Sequence, residues 1–360
     1  MSPRAAGLAK ALAHAGLAVA ALLAATAALA SCRGGRGEEG GAVGAGLTIY
    51  SSHPEELVRT VVAEFRDRSG IRVAVTRGGT GELLARLRAE AADARGRRGC
   101  DLLWGGGAES LAANADLFEP YDSPEAAAIP AACKAPDSSW TGFTLLPMAI
   151  GYNVRLLPPA RVPRSWEELL DPRFRGRIAY ADPAVSGSSY TILRTLGTAL
   201  SAGGKRTRVE AERAFAAAID GRLLAASASV FPSVASGENL VGLYHDEGAT
   251  ELISLGSDLR ITYPTDGTSA VPDGIALLRG APHPEAARRF FDFALGKDVA
   301  AVVSERFHRR SARADCPPPP GQVPLSRIRL VPYDIGVAAA EKEATIRRFK
   351  EECERVSRAP

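Results

Sequence analysis

Three short apolar runs, each followed by a polar turn and a helical pattern, constrain the fold most strongly. The runs span residues 47–50, 71–75 and 101–104. A succession of strand–turn–helix units predicts an α/β domain with a mainly parallel sheet. The carboxyl ends of such strands meet at one edge of the sheet, where ligands bind in open α/β folds. The turns that should meet there carry Ser51, Ser52 and His53, then Gly79 and Thr80, then Gly105 and Gly106.

A fourth turn of the same design occupies residues 181–191. The apolar run 178–180 precedes it, and Ile192, Leu193 and Leu196 continue with helical spacing. Free N–H groups and the positive end of a helix dipole favour an anion at such a helix start. For this stretch alone, an ordinary serine-capped helix is the alternative. The candidate ligand-binding residues of this turn are Ser186, Gly187, Ser188, Ser189 and Tyr190.

Length and the middle of the chain predict two lobes. A chain of 360 residues exceeds what one compact core usually holds. The apolar run 145–152 and the segment 259–268 are suited to cross to a second lobe and back. The predicted divisions are lobe 1 at residues 47–144 plus 265–311, lobe 2 at 145–264, and a helical C-terminal tail at 312–360 that packs on both.

The N-terminal residues predict export. Residues 1–31 have a basic start and a long Ala/Leu run, which is typical of a signal peptide. The run ends in Leu29-Ala30-Ser31-Cys32, which resembles a lipobox, so Cys32 is the predicted lipidation site. Residues 32–46 then form a Gly-rich flexible tether. An uncleaved membrane anchor is the alternative, and it also places the remaining chain outside the cytoplasm.

The charge balance does not suggest a nucleic-acid binder. The whole chain has 44 basic and 41 acidic residues, a formal net charge of +3. Removing the signal peptide removes Arg4 and Lys10, which leaves 42 basic against 41 acidic residues. Nucleic-acid binders normally show a clustered basic surface instead.

Cysteine usage predicts disulfides. An exported protein resides in an oxidising compartment, where disulfides persist. Sequence alone leaves three connectivities open, and we favour Cys100 with Cys133 and Cys316 with Cys353, because each pair closes a loop within one region. No Cys-x-x-Cys spacing indicates a zinc site.

Taken together, these segments resemble the periplasmic solute-binding proteins of ABC importers, specifically the group of ferric-ion-binding proteins and their organic-anion-binding relatives. The resemblance covers roughly residues 46–315 and rests on the order and spacing of several short motifs. Those motifs lie at residues 48–53, 65–71, 79–84, 165–169, 182–191, 241–243 and 263–268. The family implies an α/β fold of two lobes, each with a mainly parallel sheet flanked by helices, that close on a ligand by a hinge motion. It also implies delivery of the ligand to a membrane permease.

The chain departs from the ferric-binding pattern that this resemblance implies. His53 lies near the expected histidine, with a spacing that differs by one residue. The third strand is followed by glycines, with no carboxylate before Glu109. Asp246 and Glu247 stand where tandem tyrosines are expected. Ferric iron prefers phenolate and carboxylate oxygens together, so we expect an organic anion: a phosphorylated, phosphonate or carboxylated solute.

Further candidates complete the predicted site. Tyr244 is suited to contact the guest, Asp246 and Glu247 to accept hydrogen bonds from it, and Asp266 lies at the return crossing. The alternative is a ferric site formed by His53, Asp246 and Glu247.

We expect no enzyme and no cofactor, because the chain lacks a Gly-x-Ser-x-Gly elbow, a His-Glu-x-x-His helix and a P-loop. The expected partners are a small anionic solute, an ABC permease and, through the lipid anchor, the membrane. The protein is expected to act as a monomer. A ligand sensor of the same fold is an alternative role.

Overall fold

The computed structural model describes residues 46–93 and 98–358. The predicted signal peptide, the lipidation site Cys32 and nearly all of the tether lie outside these residues. Within the described ranges, no helix has both the length and the apolar character needed to cross a membrane.

Strands and helices alternate over most of the described chain. The strands are β1 (Leu47–Ser51), β2 (Val73–Arg77), β3 (Leu102–Gly107), β4 (Phe118–Glu119), β5 (Thr141–Asn153), β6 (Ile178–Ala179), β7 (Val241–His245), β8 (Leu259–Thr262), β9 (Ala270–Leu278) and β10 (Arg310–Ser311). The α-helices are α1 (Glu55–Ser69), α2 (Thr80–Ala92), α3 (Ala108–Ala112), α4 (Gly187–Ser201), α5 (Arg208–Ala218), α6 (Val230–Ala235), α7 (Glu247–Ser254), α8 (Pro284–Leu295), α9 (Lys297–Phe307), α10 (Ile335–Ala340) and α11 (Lys342–Ser357). Short 3-10 turns lie at 115–117, 124–128, 131–133, 159–161, 168–170, 172–174, 227–229 and 325–327.

The first lobe is built on the predicted strand–turn–helix succession. Strand β1 pairs in parallel with β2 on one side and with β3 on the other. Helix α1 buries one face against the sheet, because its apolar residues recur at helical spacing. Residues of that face, including Phe65, join one apolar core with Trp104 and Phe290. The predicted α/β character of this region is confirmed.

Two long strands connect the lobes. The first part of β5 pairs with β9, and its last part, from Met148, pairs with β7 and β8. The strand order β2-β1-β3-β9-β5-β7-β6 therefore runs through both lobes without a break. Since β9 returns antiparallel to both β3 and β5, the sheet is mixed. The prediction of a mainly parallel sheet holds for the β1–β2, β1–β3 and β6–β7 pairs and is wrong for the crossing strands.

The second lobe packs α4 and α5 over the β5–β7–β6 part of the sheet. Its core contains Trp166, Tyr180 and Phe215, all fully buried. The apolar face of α4 is continuous with this core through Ile192 and Leu196. The C-terminal helix α11 adds Phe349 to the same cluster, so the tail contributes to the second lobe's core.

The predicted disulfides do not form in this structure. Cys100, Cys133, Cys316 and Cys353 are free thiols. The favoured pairs place their members in different surroundings: Cys100 and Cys133 belong to separate core clusters, and Cys353 is buried in the second lobe's core. Closeness along the chain therefore did not predict which core each thiol joins.

Candidate functional site

A cavity of about 100 Å³ lies between the lobes. It is lined by three turns of the first lobe and by the start of α4 and the end of β7 from the second. This arrangement brings together many of the predicted site residues. Those that line the cavity are Ser52, His53, Gly79, Thr80, Gly106, Ser186, Gly187, Ser188, Tyr244 and Glu247.

Two helix N-termini from different lobes meet at this cavity. Helix α2 starts after Gly79 without a side-chain cap, and α4 starts after Ser186, whose Oγ accepts a 3.2 Å hydrogen bond from the Ser189 N–H. The helix starts approach so closely that a methyl group on Gly187 would lie 3.6 Å from Thr80 Oγ1. Both helices are longer than three turns, so each carries an aligned dipole whose positive end faces the cavity.

Position 106 requires glycine, both for its backbone conformation and for the close approach of its neighbours. It has φ of 94°, in the region that disfavours other residues, and a Cβ there would lie 2.8 Å from Thr80 Cγ2. Glycine at this position lets β3 end beside the start of α2.

The floor of the cavity contains a buried guanidinium that the sequence analysis did not identify. Arg309 is only 3% exposed. One terminal nitrogen donates a 3.1 Å hydrogen bond to Asp273 Oδ2, and the other lies 2.8 Å from His53 Nδ1. Its Nε has no hydrogen-bond partner among the described residues and lies 4.0 Å from Glu247 Oε2. Asp273 and His53 therefore fix the two terminal nitrogens of Arg309, and its Nε–H remains without a partner among the described residues.

A left-handed turn places Arg309. Helix α9 ends at Phe307, and His308 adopts φ of 52°, which reverses the chain. Arg309 directly precedes β10, in which Arg310 and Ser311 pair with β5. Arg309 lines the cavity, whereas Arg310 does not and donates to Asp246 Oδ2 at 3.2 Å.

Both cavity histidines are neutral. Burial, with the charge of Arg309, lowers the pKa of His53 and of His245 well below the usual range. Because Arg309 donates to Nδ1 of neutral His53, its proton resides on Nε2. That Nε2 has no partner among the described residues, so His53 offers a hydrogen-bond donor at the cavity wall.

Two carboxylates complete the floor. Burial raises the pKa of Asp273, although Arg309 and the hydroxyl and amide of Thr144 oppose that shift. Glu247 Oε2 lies 3.2 Å from His245 Nδ1. Burial also raises the pKa of the neighbouring Tyr244 to about 12, which keeps its hydroxyl protonated.

Three predicted residues lie behind the cavity wall. Ser51 is buried and accepts a hydrogen bond from the His53 N–H at 3.3 Å. Gly105 packs against Ser52, since a Cβ there would lie 2.5 Å from Ser52 Oγ. Ser189 is buried, and its backbone carbonyl accepts a 2.6 Å hydrogen bond from the Tyr180 hydroxyl in the second lobe.

Tyr190, Asp246 and Asp266 are engaged elsewhere. The Tyr190 hydroxyl donates to the carbonyl of Ala338 in the tail. Asp246 pairs with Arg310 and accepts a 2.8 Å hydrogen bond from Tyr263. Asp266 caps the turn at residue 166 by accepting from its N–H at 3.1 Å. None of the three lines the cavity.

The alternative ferric set is not assembled. Asp246 points away from the cavity that His53 and Glu247 line. Within residues 46–93 and 98–358, no group of three or more His, Cys, Asp or Glu side chains has the arrangement of a metal site.

The sequence of this chain is similar to those of known proteins. Residues 98–319 match the family model described as "Bacterial extracellular solute-binding protein". The chain belongs to that family. The protein is therefore a periplasmic or extracellular solute-binding protein.

Similar proteins bear names that refer to different solutes. The "Iron uptake protein A1" of Synechocystis is 24% identical over 288 residues, 75% of this chain and 77% of the relative. The "Putative 2-aminoethylphosphonate-binding periplasmic protein" of Salmonella typhimurium is 24% identical over 266 residues, 71% of this chain and 73% of the relative. The structure of the periplasmic binding protein AfuA from Actinobacillus pleuropneumoniae, with exogenous fructose-6-phosphate bound, has a TM-score of 0.78 at 21% identity and covers 86% of this chain and 98% of that chain. The last similarity confirms the two-lobed fold.

Proposed function

We propose that this protein captures a small organic anion in the cavity between its lobes and delivers it to the permease of an ABC importer. The observation that carries this proposal is the meeting of the α2 and α4 N-termini, from different lobes, at a cavity that also holds the buried guanidinium of Arg309. Each lobe supplies part of the binding surface, so a bound anion favours the closed arrangement.

The anionic group is assigned to the helix N-termini. Backbone N–H groups at a helix start, together with hydroxyls, bind phosphoryl or carboxylate oxygens without a full compensating charge. Thr80, Ser186 and Ser188 supply hydroxyls at this place. Neutral His53 adds a further donor from the cavity wall.

The carboxylates of the floor favour a guest that also carries hydrogen-bond donors. Glu247 and Asp273 accept from hydroxyl or amino groups, and a bare anion would leave them facing a like charge. Phosphorylated sugars and aminoalkyl phosphonates combine both chemistries. The names of AfuA's ligand and of the Salmonella relative agree with that class.

The charge arrangement disfavours ferric iron, in spite of the named function of the Synechocystis relative. Arg309 already pairs with Asp273 at 3.1 Å and lies 4.0 Å from Glu247, and its guanidinium cannot lose its proton. A trivalent cation beside it would experience direct repulsion.

We also propose that Cys32 carries the lipid anchor, which keeps the binding protein near its permease. The alternative partner is a membrane receptor to which the protein reports its ligand. A permease gene beside this one would favour import, and a receptor kinase gene would favour sensing.

A thermal-shift panel tests the proposed ligand class. Ligand-stripped protein is heated with sugar phosphates, aminoalkyl phosphonates, carboxylates or ferric citrate. We expect an organic anion at roughly 100 times its Kd to raise Tm by about 5 °C, because binding to the folded state alone stabilises it.

Neighbouring serines provide a matched control for that panel. Ser188→Ala is expected to weaken binding roughly tenfold, whereas Ser189→Ala should leave it unchanged because Ser189 does not line the cavity. Stabilisation by ferric citrate, with none by citrate alone or by any other organic anion, would overturn the proposal.

A further inference from the structure

A second polar cluster lies behind the cavity wall, where α3 of the first lobe meets α4 of the second. Glu109 on α3 is fully buried, and the Thr191 hydroxyl on α4 donates to its Oε1. Thr191 lines the cavity and Glu109 does not. This hydrogen bond therefore joins the two lobes directly behind the proposed ligand.

Two consecutive residues of the C-terminal tail form hydrogen bonds at this junction, each with a different lobe. Glu341 accepts hydrogen bonds from Arg194 on α4 and, at 2.7 Å, from Arg208 on α5. The Lys342 ammonium instead donates to Ser110 Oγ, next to Glu109 on α3. A single peptide unit of the tail thus connects the helices on either side of the cavity.

Apolar contacts fix the tail at both ends. Tyr333 and Ile335 pack against the core cluster of the first lobe that includes Leu111. Phe349 and Cys353 are buried in the core of the second lobe. In the segment between these anchors, α10 packs on α3 of the first lobe and α11 packs on α5 of the second. Opening the lobes would therefore require this segment to break its contacts with one lobe.

We propose that residues 333–353 form an interlobe clasp in which Lys342 and Glu341 stabilise the closed arrangement and so position Thr191 at the ligand. The clasp acts from outside the cavity and touches no part of the proposed ligand. Its contacts favour the arrangement in which α3 and α4 are adjacent, and an element with such differential contacts shifts an equilibrium between conformations. This inference goes beyond the proposed function and holds for any ligand class.

Hydrogen–deuterium exchange of the ligand-free protein tests the clasp. Lys342→Met removes the hydrogen bond to Ser110 and keeps the apolar stem, and Ser110→Ala removes the same bond from the other lobe. Both variants should increase exchange about tenfold at residues 79–84 and 184–191, where the lobes touch, which is the scale of one hydrogen bond to a charged group. Lys342→Arg should restore protection at both segments.

Lys350→Met is the matched control. Lys350 lies on the same helix and donates a 2.8 Å hydrogen bond to Asp182, so it joins the tail to the second lobe alone. Exchange at the interlobe segments should then equal that of the unmodified protein. If Lys342→Met and Ser110→Ala show the same exchange at these segments as Lys350→Met, the clasp proposal is wrong, whether or not an organic anion binds. Circular dichroism of each variant establishes that it is folded.

Discussion

Replacing Arg309 with methionine should destabilise the protein by about 3–5 kcal/mol, the usual cost of removing one partner from a buried ion pair. Asp273 would lose a 3.1 Å charged hydrogen bond while remaining buried. The same substitution should weaken binding of the organic anion by roughly 100-fold, since the cavity loses its one positive charge among the described lining residues. Urea denaturation and titration calorimetry measure the two effects.

The stability loss should depend on pH. Burial already raises the pKa of Asp273, and the charge of Arg309 opposes that shift. Without Arg309 the folded protein holds this proton to higher pH, whereas the unfolded chain releases it near the ordinary value of 3.8. The variant's free energy of unfolding therefore falls as pH rises, and its deficit should be larger at pH 8 than at pH 5.

Arg310→Met separates stability from binding. Arg310 is about as buried as Arg309 and forms a comparable ion pair with Asp246, but it does not line the cavity. It should lose similar stability and keep its affinity for the anion. Equal affinity losses in the two variants would show that Arg309 acts through folding alone. If Arg309→Met fails to fold, Arg309→Lys, which keeps the charge, separates the effect on stability from the effect on binding.

A single methyl group at Gly81 should hinder closure. Gly81 is the second residue of α2, and a Cβ there would lie 2.6 Å from the carbonyl oxygen of Ala184 in the other lobe. Since backbone atoms cannot yield as a side chain can, Gly81→Ala should weaken ligand binding about tenfold or more. Alanine is the better helix former by about 1 kcal/mol, which offsets part of the cost of this contact, so the free energy of unfolding of the ligand-free protein should change little.

Gly203→Ala provides the comparison, because nothing lies within 4 Å of a Cβ at that position. Titration calorimetry gives the affinities, and small-angle scattering with ligand reports whether the lobes close. Unchanged affinity in Gly81→Ala would mean that the contact between residues 81 and 184 is absent from the bound state.

The fold and the turns of the first lobe were predictable from local signals. Each short apolar run, polar turn and helical pattern lies within about 30 residues, and parallel strands align their carboxyl ends without further information. The turn at Ser186 was predictable for the same reason. What the local pattern did not show was which strands run antiparallel, because β9 joins β3 and β5 from more than 120 residues away.

The charged floor of the site could not be predicted from local pattern. Arg309 and His53 are 256 residues apart in the chain, and no motif links them. Asp246 and Glu247 were both expected at the ligand, yet the chain turns from β7 into α7 between them and only Glu247 faces the cavity. The one sequence signal for Arg309 is that it and Arg310 are consecutive arginines between α9 and β10.

Native mass spectrometry of the purified protein tests the central claim most directly, because it measures the mass of any ligand that stays bound during purification. We predict an added mass that matches an organic anion with a phosphoryl, phosphonate or carboxylate group, released on unfolding, absent from Arg309→Met and present in Arg310→Met. Iron as the sole bound species, or an organic anion retained equally in both variants, would contradict the account.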